Sequence, residues 1–314
     1  MAIFTRTDRA TLSEAPFLDH RWRRRGSEQR ALPLARLREF QTYAPAPAFI
    51  WRSAFCCSTL IASCLDAPGI CLALNEPAAL VDLGSARKSG APDADSALAS
   101  AVFARLGVGF GPGERVVIKP SSAAYTLLPE AVQSEAPILL LYSGCRDFLL
   151  SVIGGGRERG GGEHRRKLVR DLMAARVLSG QPGLRFRPED LCVMTDLQAA
   201  ALLWHVQVAE FRAVAKAAGP AQARSLDCEI FLADPARNLG AIDDFLGLGL
   251  GGGLGRYAAA PEMAFNAEAR RRGFLELEEQ WGSQVDALVA WSYEIFSETP
   301  KGDPIGAPLL ALDA

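Results

Sequence analysis

The segment Phe49-Ile50-Trp51-Arg52-Ser53-Ala54-Phe55-Cys56-Cys57-Ser58-Thr59-Leu60-Ile61 begins apolar, turns polar at Arg52-Ser53, and is apolar again after Ser58-Thr59. The stretch before it, Tyr43-Ala44-Pro45-Ala46-Pro47-Ala48, is extended, because each proline keeps its predecessor out of the α region. Phe49–Trp51 is therefore expected to be a first strand that stops at Arg52-Ser53. Ala54–Cys57 makes a turn, and Ser58 or Thr59 caps a helix running to about Asp66, before the break at Pro68-Gly69.

Working outward, Ile70–Leu74 is a second short apolar run, closed by Asn75-Glu76-Pro77. Apolar positions predict helices over Ala78–Leu83 and Ala94–Leu106, separated by the polar Lys88–Asp93 loop. Arg115–Lys119 is a third strand, and Ile138–Tyr142 a fourth, almost uniformly apolar one. Strands buried on both faces read this way. Gly154–Gly162 is a glycine- and arginine-rich loop leading into a basic helix over Glu163–Ala175. Thr195-Asp196 opens a long helix to about Ala217. Leu226–Leu232 is expected as a fifth strand, Asp234-Pro235 opens a helix through Phe245, and a last long helix spans Leu275–Phe296. Short strands alternating with helices predict a three-layer α/β/α domain around a central, mostly parallel sheet. Residues 1–46 read as a polar, helical and extended lead-in packed on the domain, with a short helix near Pro33–Leu37, and 47–314 as the α/β domain.

The 314 residues are 49% hydrophobic and 22% charged, with a formal net charge of −2. That balance gives no overall attraction to nucleic acid or anionic membrane, so an anionic ligand needs a local positive site. No stretch approaches the ~18 uninterrupted apolar residues of a membrane span, and a soluble, cytoplasmic protein is expected. The cysteines (56, 57, 64, 71, 145, 192 and 228) are odd in number and mostly lie in apolar runs, as free thiols do in a reducing compartment. No CxxC pair occurs, His20, His164 and His205 lie far from the cysteines, and no metal is expected.

A tight strand-to-helix loop exposes backbone N–H groups under the partial positive field of the helix N-terminus, an arrangement suited to phosphate or sulfate. Arg52 adds a full charge, and Ser58 and Thr59 add hydroxyl donors. The loop lacks GxxxxGK[ST], so it is not a Walker A loop. The alternative is that Ser58-Thr59 merely caps a buried helix. The segment Phe49–Ile61 resembles the 5′-phosphosulfate-binding loop of sulfotransferases, with Arg52-Ser53 and Ser58-Thr59-Leu60 matching its two ends. Cys57 stands where a glycine is usual, and the loop is longer. Ile138–Ser151 resembles that family's 3′-phosphate element. Ser151 fits its serine, but Ser143 stands where its arginine is expected, so Arg146 is the substitute candidate. Ser225–Leu248 resembles the family's late L-x-D-P…F-L-G-L segment, and Lys119-Pro120-Ser121 its Lys-x-Pro element.

This resemblance implies a fold related to the P-loop nucleoside triphosphate hydrolases. It further implies 3′-phosphoadenosine 5′-phosphosulfate (PAPS) as cosubstrate and transfer of its sulfonyl group to a hydroxyl or amine of a small acceptor. Carried over, Arg52, Ser53, Cys57, Ser58, Thr59 and Leu60 would hold the 5′ end, with Ser143, Arg146, Ser151 and Arg256 toward the 3′ phosphate. Lys119, ending a strand at the carboxyl edge of the sheet, would face the sulfonyl or bridging oxygen; the alternative is a snorkelling strand-end lysine. Glu76 is the expected general base, its pKa raised by desolvation, against the alternatives of a helix cap or an arginine partner. His205, mid-helix beside Trp204, reads as a packing histidine. The basic segment Arg157, Arg159, Arg165, Arg166, Lys167, Arg170 reads as a lid or a solvated face, without the interleaved aromatics of a nucleic-acid surface. The Arg270–Arg272 cluster is a further 3′-phosphate candidate. Two alternatives to the transferase are a noncatalytic nucleotide-binding relative and a P-loop kinase-like phosphotransferase. Trp281, Trp291, Tyr293 and Phe296 of the last helix serve either the core or a homodimer contact.

Overall fold

The computed structural model describes residues 1–22, 28–39, 45–154, 161–180, 184–251 and 261–310. Five parallel strands form the central sheet: β3 (Ala48–Arg52), β4 (Cys71–Asn75), β5 (Arg115–Lys119), β6 (Ile138–Tyr142) and β7 (Ala223–Asp227), in the order β4-β5-β3-β6-β7. All five residues of β6 are buried, as its unbroken apolar run requires when helices cover both faces. Each leucine in Leu139–Leu141 contributes about 1.5–3 kcal/mol by leaving water.

Strand alternation sorts the core into two layers. Ala48, Ile50, Val117, Leu139, Leu141 and Leu226 face α3 (Ser58–Leu65) and α12 (Pro235–Leu246) through Ile61, Leu65, Leu239 and Ile242. Phe49, Trp51, Ile118, Ile138 and Leu140 face the opposite layer. That layer holds α4 (Ala78–Lys88), α5 (Ser96–Leu106), α6 (Leu128–Gln133), α7 (Cys145–Gly154), α8 (Gly161–Leu178), α9 (Pro188–Val193), α10 (Asp196–Ala218) and α13 (Pro261–Ile295). The expected three-layer α/β/α architecture is therefore observed.

Local chemistry explains the helix ends. Thr195 Oγ1 accepts from Gln198 N, and Gln198 Oε1 accepts from Thr195 N, closing a capping box at the start of α10. Asp234 caps α12 ahead of Pro235, and Gly247 at φ 62° ends it.

Two expectations need correction. The fifth strand is Ala223–Asp227 rather than Leu226–Leu232, because β6 offers no partner beyond Tyr142↔Asp227. The Asp227 carboxylate then accepts from Glu229 N and starts a helix, α11 (Cys228–Ala233), where strand was expected. The last helix begins at Pro261, well before Leu275. Within residues 1–46, β1 (Ala2–Thr5) and β2 (Gln29–Leu32) pair antiparallel, with α1 (Arg9–Glu14) between them and α2 (Leu34–Glu39) after them. Arg9 ties α1 to the domain through Asp66 and Glu114, and Leu18 and Leu37 join the core. Trp291 and Tyr293 on the last helix and Phe296 just past its end pack partly against the core, while Trp281 is more than one-third exposed. Among the described residues no helix is long and apolar enough to cross a membrane.

Candidate functional site

The connection leaving β3 runs toward β4 on one side of the sheet, and the connection leaving β6 runs toward β7 on the other. Adjacent strands whose connections diverge open a crevice at their carboxyl ends, where open α/β sheets hold ligands. The loop after β3 and Ser143 after β6 stand at the carboxyl ends of those two strands. Ser53 N donates to Leu141 O at 2.9 Å, carrying the strand ladder one residue past Arg52. Phe55 (φ 63°) and Cys57 (φ 59°) then take left-handed backbone, so a cysteine adopts here the conformation that favours glycine. Cys57 is the N-cap of α3 and gives no side-chain cap; Ser58 and Thr59 lie within the first turn, which corrects their expected capping role. The N–H groups of that first turn have no acceptor within the helix. Ser58 is buried, whereas Thr59 and Leu60 are half-buried, Leu60 against the α3 core layer. The Ser53 hydroxyl is buried without a hydrogen-bond partner among the described residues.

Arg52, Glu76 and Lys119 come from the ends of three different strands and meet on one atom. Arg52 Nη2 donates to Glu76 Oε1 at 2.6 Å, and Lys119 Nζ donates to the same oxygen at 3.0 Å. The three side chains are 14%, 11% and 1% exposed, so this is a largely desolvated cluster with one net positive charge. Glu76 sits at φ 53°, its N–H bonded to Lys119 O, which aims its side chain along the sheet edge. Burial pushes the Glu76 carboxyl up, but the charges of Arg52 and Lys119 outweigh it and hold the group at about 2. The expected rise toward working pH is thereby corrected: Glu76 is a fixed carboxylate, and its arginine-partner alternative is the arrangement found. Burial, then the charge of Arg52, brings the Lys119 ammonium down to about 8 despite Glu76. Lys119 is not a snorkelling strand-end lysine, since its nitrogen lies inside this cluster. The Arg52 Nε is buried without a hydrogen-bond partner among the described residues.

Two further contacts frame the cluster. Leu18 N donates to Asn75 O and Ala78 N donates to Leu18 O, which lays the preceding segment over the end of β4 with the Phe17 ring 5.4 Å from Lys119 Nζ. Arg165 on α8 stacks 4.8 Å from the Phe55 ring and donates to Ser151 O at 2.6 Å. Neither Phe17 nor the specific role of Arg165 was signalled by sequence, since each depends on a contact between distant segments.

The elements expected near a 3′ phosphate are placed differently. Ser143 is fully buried; its carbonyl accepts from Trp204 Nε1 at 2.7 Å, and its hydroxyl has no partner among the described residues. Ser151 is buried in α7. Arg146 donates to Asp286 at 2.8 Å and also pairs with Glu278, so α13 engages it. Arg256, Arg157 and Arg159 lie outside the described residues, as do the side chains of Arg270, Arg271 and Arg272. His205 is a packing histidine: buried, bonded to Ser292 Oγ and Thr299 Oγ1, and pushed down to about 4 by burial and Arg212. Among the described residues no cluster of His, Cys, Asp or Glu could hold a metal ion.

No protein-family model matches this chain, and no curated protein matches it. The architecture is that of a generic Rossmannoid or P-loop-like α/β protein, a class that houses nucleotide and cofactor sites and many enzymes.

Proposed function

We propose that the crevice binds a nucleotide through an anionic 5′ group, and that the protein transfers a sulfonyl group from 3′-phosphoadenosine 5′-phosphosulfate to a small hydroxyl or amine acceptor. The observation that carries this reading is the junction of Arg52 and Lys119 on one Glu76 oxygen, beside the open first turn of α3. In this reading Arg52 and the amides of Ser58 and Thr59 neutralise the 5′ phosphosulfate, aided by Ser53, Cys57 and Leu60 of the loop. Lys119 stabilises charge on the bridging oxygen as the bond to sulfur lengthens. Fixed cations in a site shielded from water supply such stabilisation without reorganising during the reaction. Glu76 holds both cations in register instead of taking the acceptor's proton. The resemblance in the Phe49–Ile61, Ile138–Ser151 and Ser225–Leu248 segments supports the same cosubstrate.

A second reading, nucleotide binding without transfer, is favoured by one observation. Ser143 replaces the arginine expected for the 3′ phosphate, and Arg146 is engaged by Asp286 and Glu278. Calorimetric titration separates the two. 3′-Phosphoadenosine 5′-phosphate is expected to bind more tightly than ADP, and Arg52→Met to weaken it at least ~10-fold, about 1.4 kcal/mol. Transfer of labelled sulfate from the cosubstrate should be lost in Lys119→Met. Equal affinity for ADP with no transfer selects the second reading. Binding unaffected by Arg52→Met refutes the site.

A further inference from the structure

Cys57 Sγ lies 3.3 Å from Cys228 Sγ, across a sequence separation of 171 residues. The two thiols come from elements that local sequence does not connect: Cys57 is the left-handed N-cap of α3, and Cys228 is the first residue of α11, directly after β7. Both belong to the same core layer, with Cys228 fully buried and Cys57 half-buried. A disulfide bond is ~2.05 Å long, so the sulfurs need only approach by about 1.3 Å. Cys56 is buried, donates to Ser53 O at 3.0 Å, and is pushed up to about 11 by burial. Cys64, Cys71 and Cys145 are buried, and Cys192 is exposed.

We propose that Cys57 and Cys228 form a reversible dithiol–disulfide site that peroxide oxidises. The Cys57 thiol gives up its proton and the thiolate attacks one oxygen of hydrogen peroxide. The O–O bond breaks, the departing hydroxide takes up that proton and leaves as water, and Cys57 becomes a sulfenic acid. The Cys228 sulfur attacks that sulfenic sulfur, the S–O bond breaks, and the oxygen departs with the Cys228 proton as a second water. Two thiols thus lose two hydrogens, and one peroxide is reduced to two waters. Access suits this order, because the half-buried thiol meets the oxidant and the buried one resolves it. The bond would pin the loop that starts α3 to the end of β7. Any effect on ligand affinity rests on the function proposed above, whereas the bond itself does not.

The test uses the full-length, fully reduced protein exposed to limiting hydrogen peroxide, with remaining thiols blocked by N-ethylmaleimide and peptides mapped by mass spectrometry. The expected result is loss of two of the seven free thiols, one linked peptide pair joining Cys57 to Cys228, and recovery of all seven with dithiothreitol. Cys56→Ser should still form the link. Cys228→Ser should leave Cys57 as a sulfenic acid that dimedone captures. The wild-type map needs no variant to fold, and it overturns the proposal if all seven thiols survive or if the recovered link joins Cys56 to Cys57. Titrating the oxidised protein with 3′-phosphoadenosine 5′-phosphate separately reads whether the link alters the crevice. A link that forms without changing binding refutes only that coupling.

Discussion

Glu76→Gln preserves the outline of the side chain and removes the single negative charge between Arg52 and Lys119. The Glu76 carboxyl titrates at about 2 in the folded chain against 4.5 as a free side chain. That difference corresponds to about 3 kcal/mol of stability at neutral pH. Because the folded value is depressed, this stability is fully present above 4.5 and disappears as pH falls toward 2. The variant should therefore unfold about 3 kcal/mol more easily at pH 7. Lys119 limits the loss, since without Glu76 it can release its proton instead of remaining a buried, unmatched charge. With an unfolding entropy of about 2.1 cal/mol/K per residue, the melting temperature of a chain this long should drop about 5 °C. Scanning calorimetry at pH 7 and at steps from 4.5 downward reads both size and sign. A pH-independent gap, or a gap below about 1 kcal/mol at pH 7, would refute the reasoning that Glu76 is held ionised by the two cations.

Other outcomes follow from the same groups. Lys119 titrates at about 8 when folded and 10.5 when free, so the unfolded chain binds the extra proton between these values. Denaturant titrations should show stability rising through that range, on the order of 3 kcal/mol, and Lys119→Met should flatten the rise. The His205 imidazole should titrate near 4 by nuclear magnetic resonance instead of near 6.5. Its contribution to stability is lost as pH falls between those values, and a midpoint near 6.5 would contradict its buried pairing with Ser292 and Thr299. Burial pushes the Asp227 carboxyl up to about 6, with the charges of Glu229, Asp147 and Asp303 adding to the effect. Asp227→Asn keeps an acceptor for Glu229 N and should be more stable than wild type above pH 6, with the gain vanishing toward pH 4; thermal melts across that range check it.

The strands that were legible in the sequence are the ones buried on both faces. Ile138–Tyr142 and Arg115–Lys119 occupy the expected residues because nothing but apolar packing surrounds their middles. β7 was misplaced because it is an edge strand, Ala223-Arg224-Ser225-Leu226-Asp227, whose polar residues serve neighbours that local pattern does not reveal. Ser225 N donates to Ala307 O, Leu309 N donates to Ser225 O, and Arg224 bonds Pro308 O. The β1–β2 pair was invisible for a similar reason: its strands are short, largely exposed, and joined by no tight-turn signal. At the site, Arg52, Glu76 and Lys119 were legible as polar residues ending apolar runs. The sign of the Glu76 shift was not, because it depends on two cations sharing one oxygen. The Cys57–Cys228 and Arg165–Phe55 contacts join segments with no local relation, and no spacing rule reaches them.

The strand order has a consequence for how the protein is made. β3 is the earliest strand of the main sheet and its centre, yet its partners begin at Arg115 and Ile138. A growing chain therefore carries Phe49, Ile50 and Trp51 without any flanking strand until Lys119 and without the second until Tyr142 has been synthesised, and the outer edge of β7 waits for Ala307–Leu309. Non-local pairing of this kind folds slowly and leaves apolar segments open to aggregation meanwhile. Yield during expression should depend on chaperone supply more steeply than in a protein whose neighbouring strands pair as they emerge.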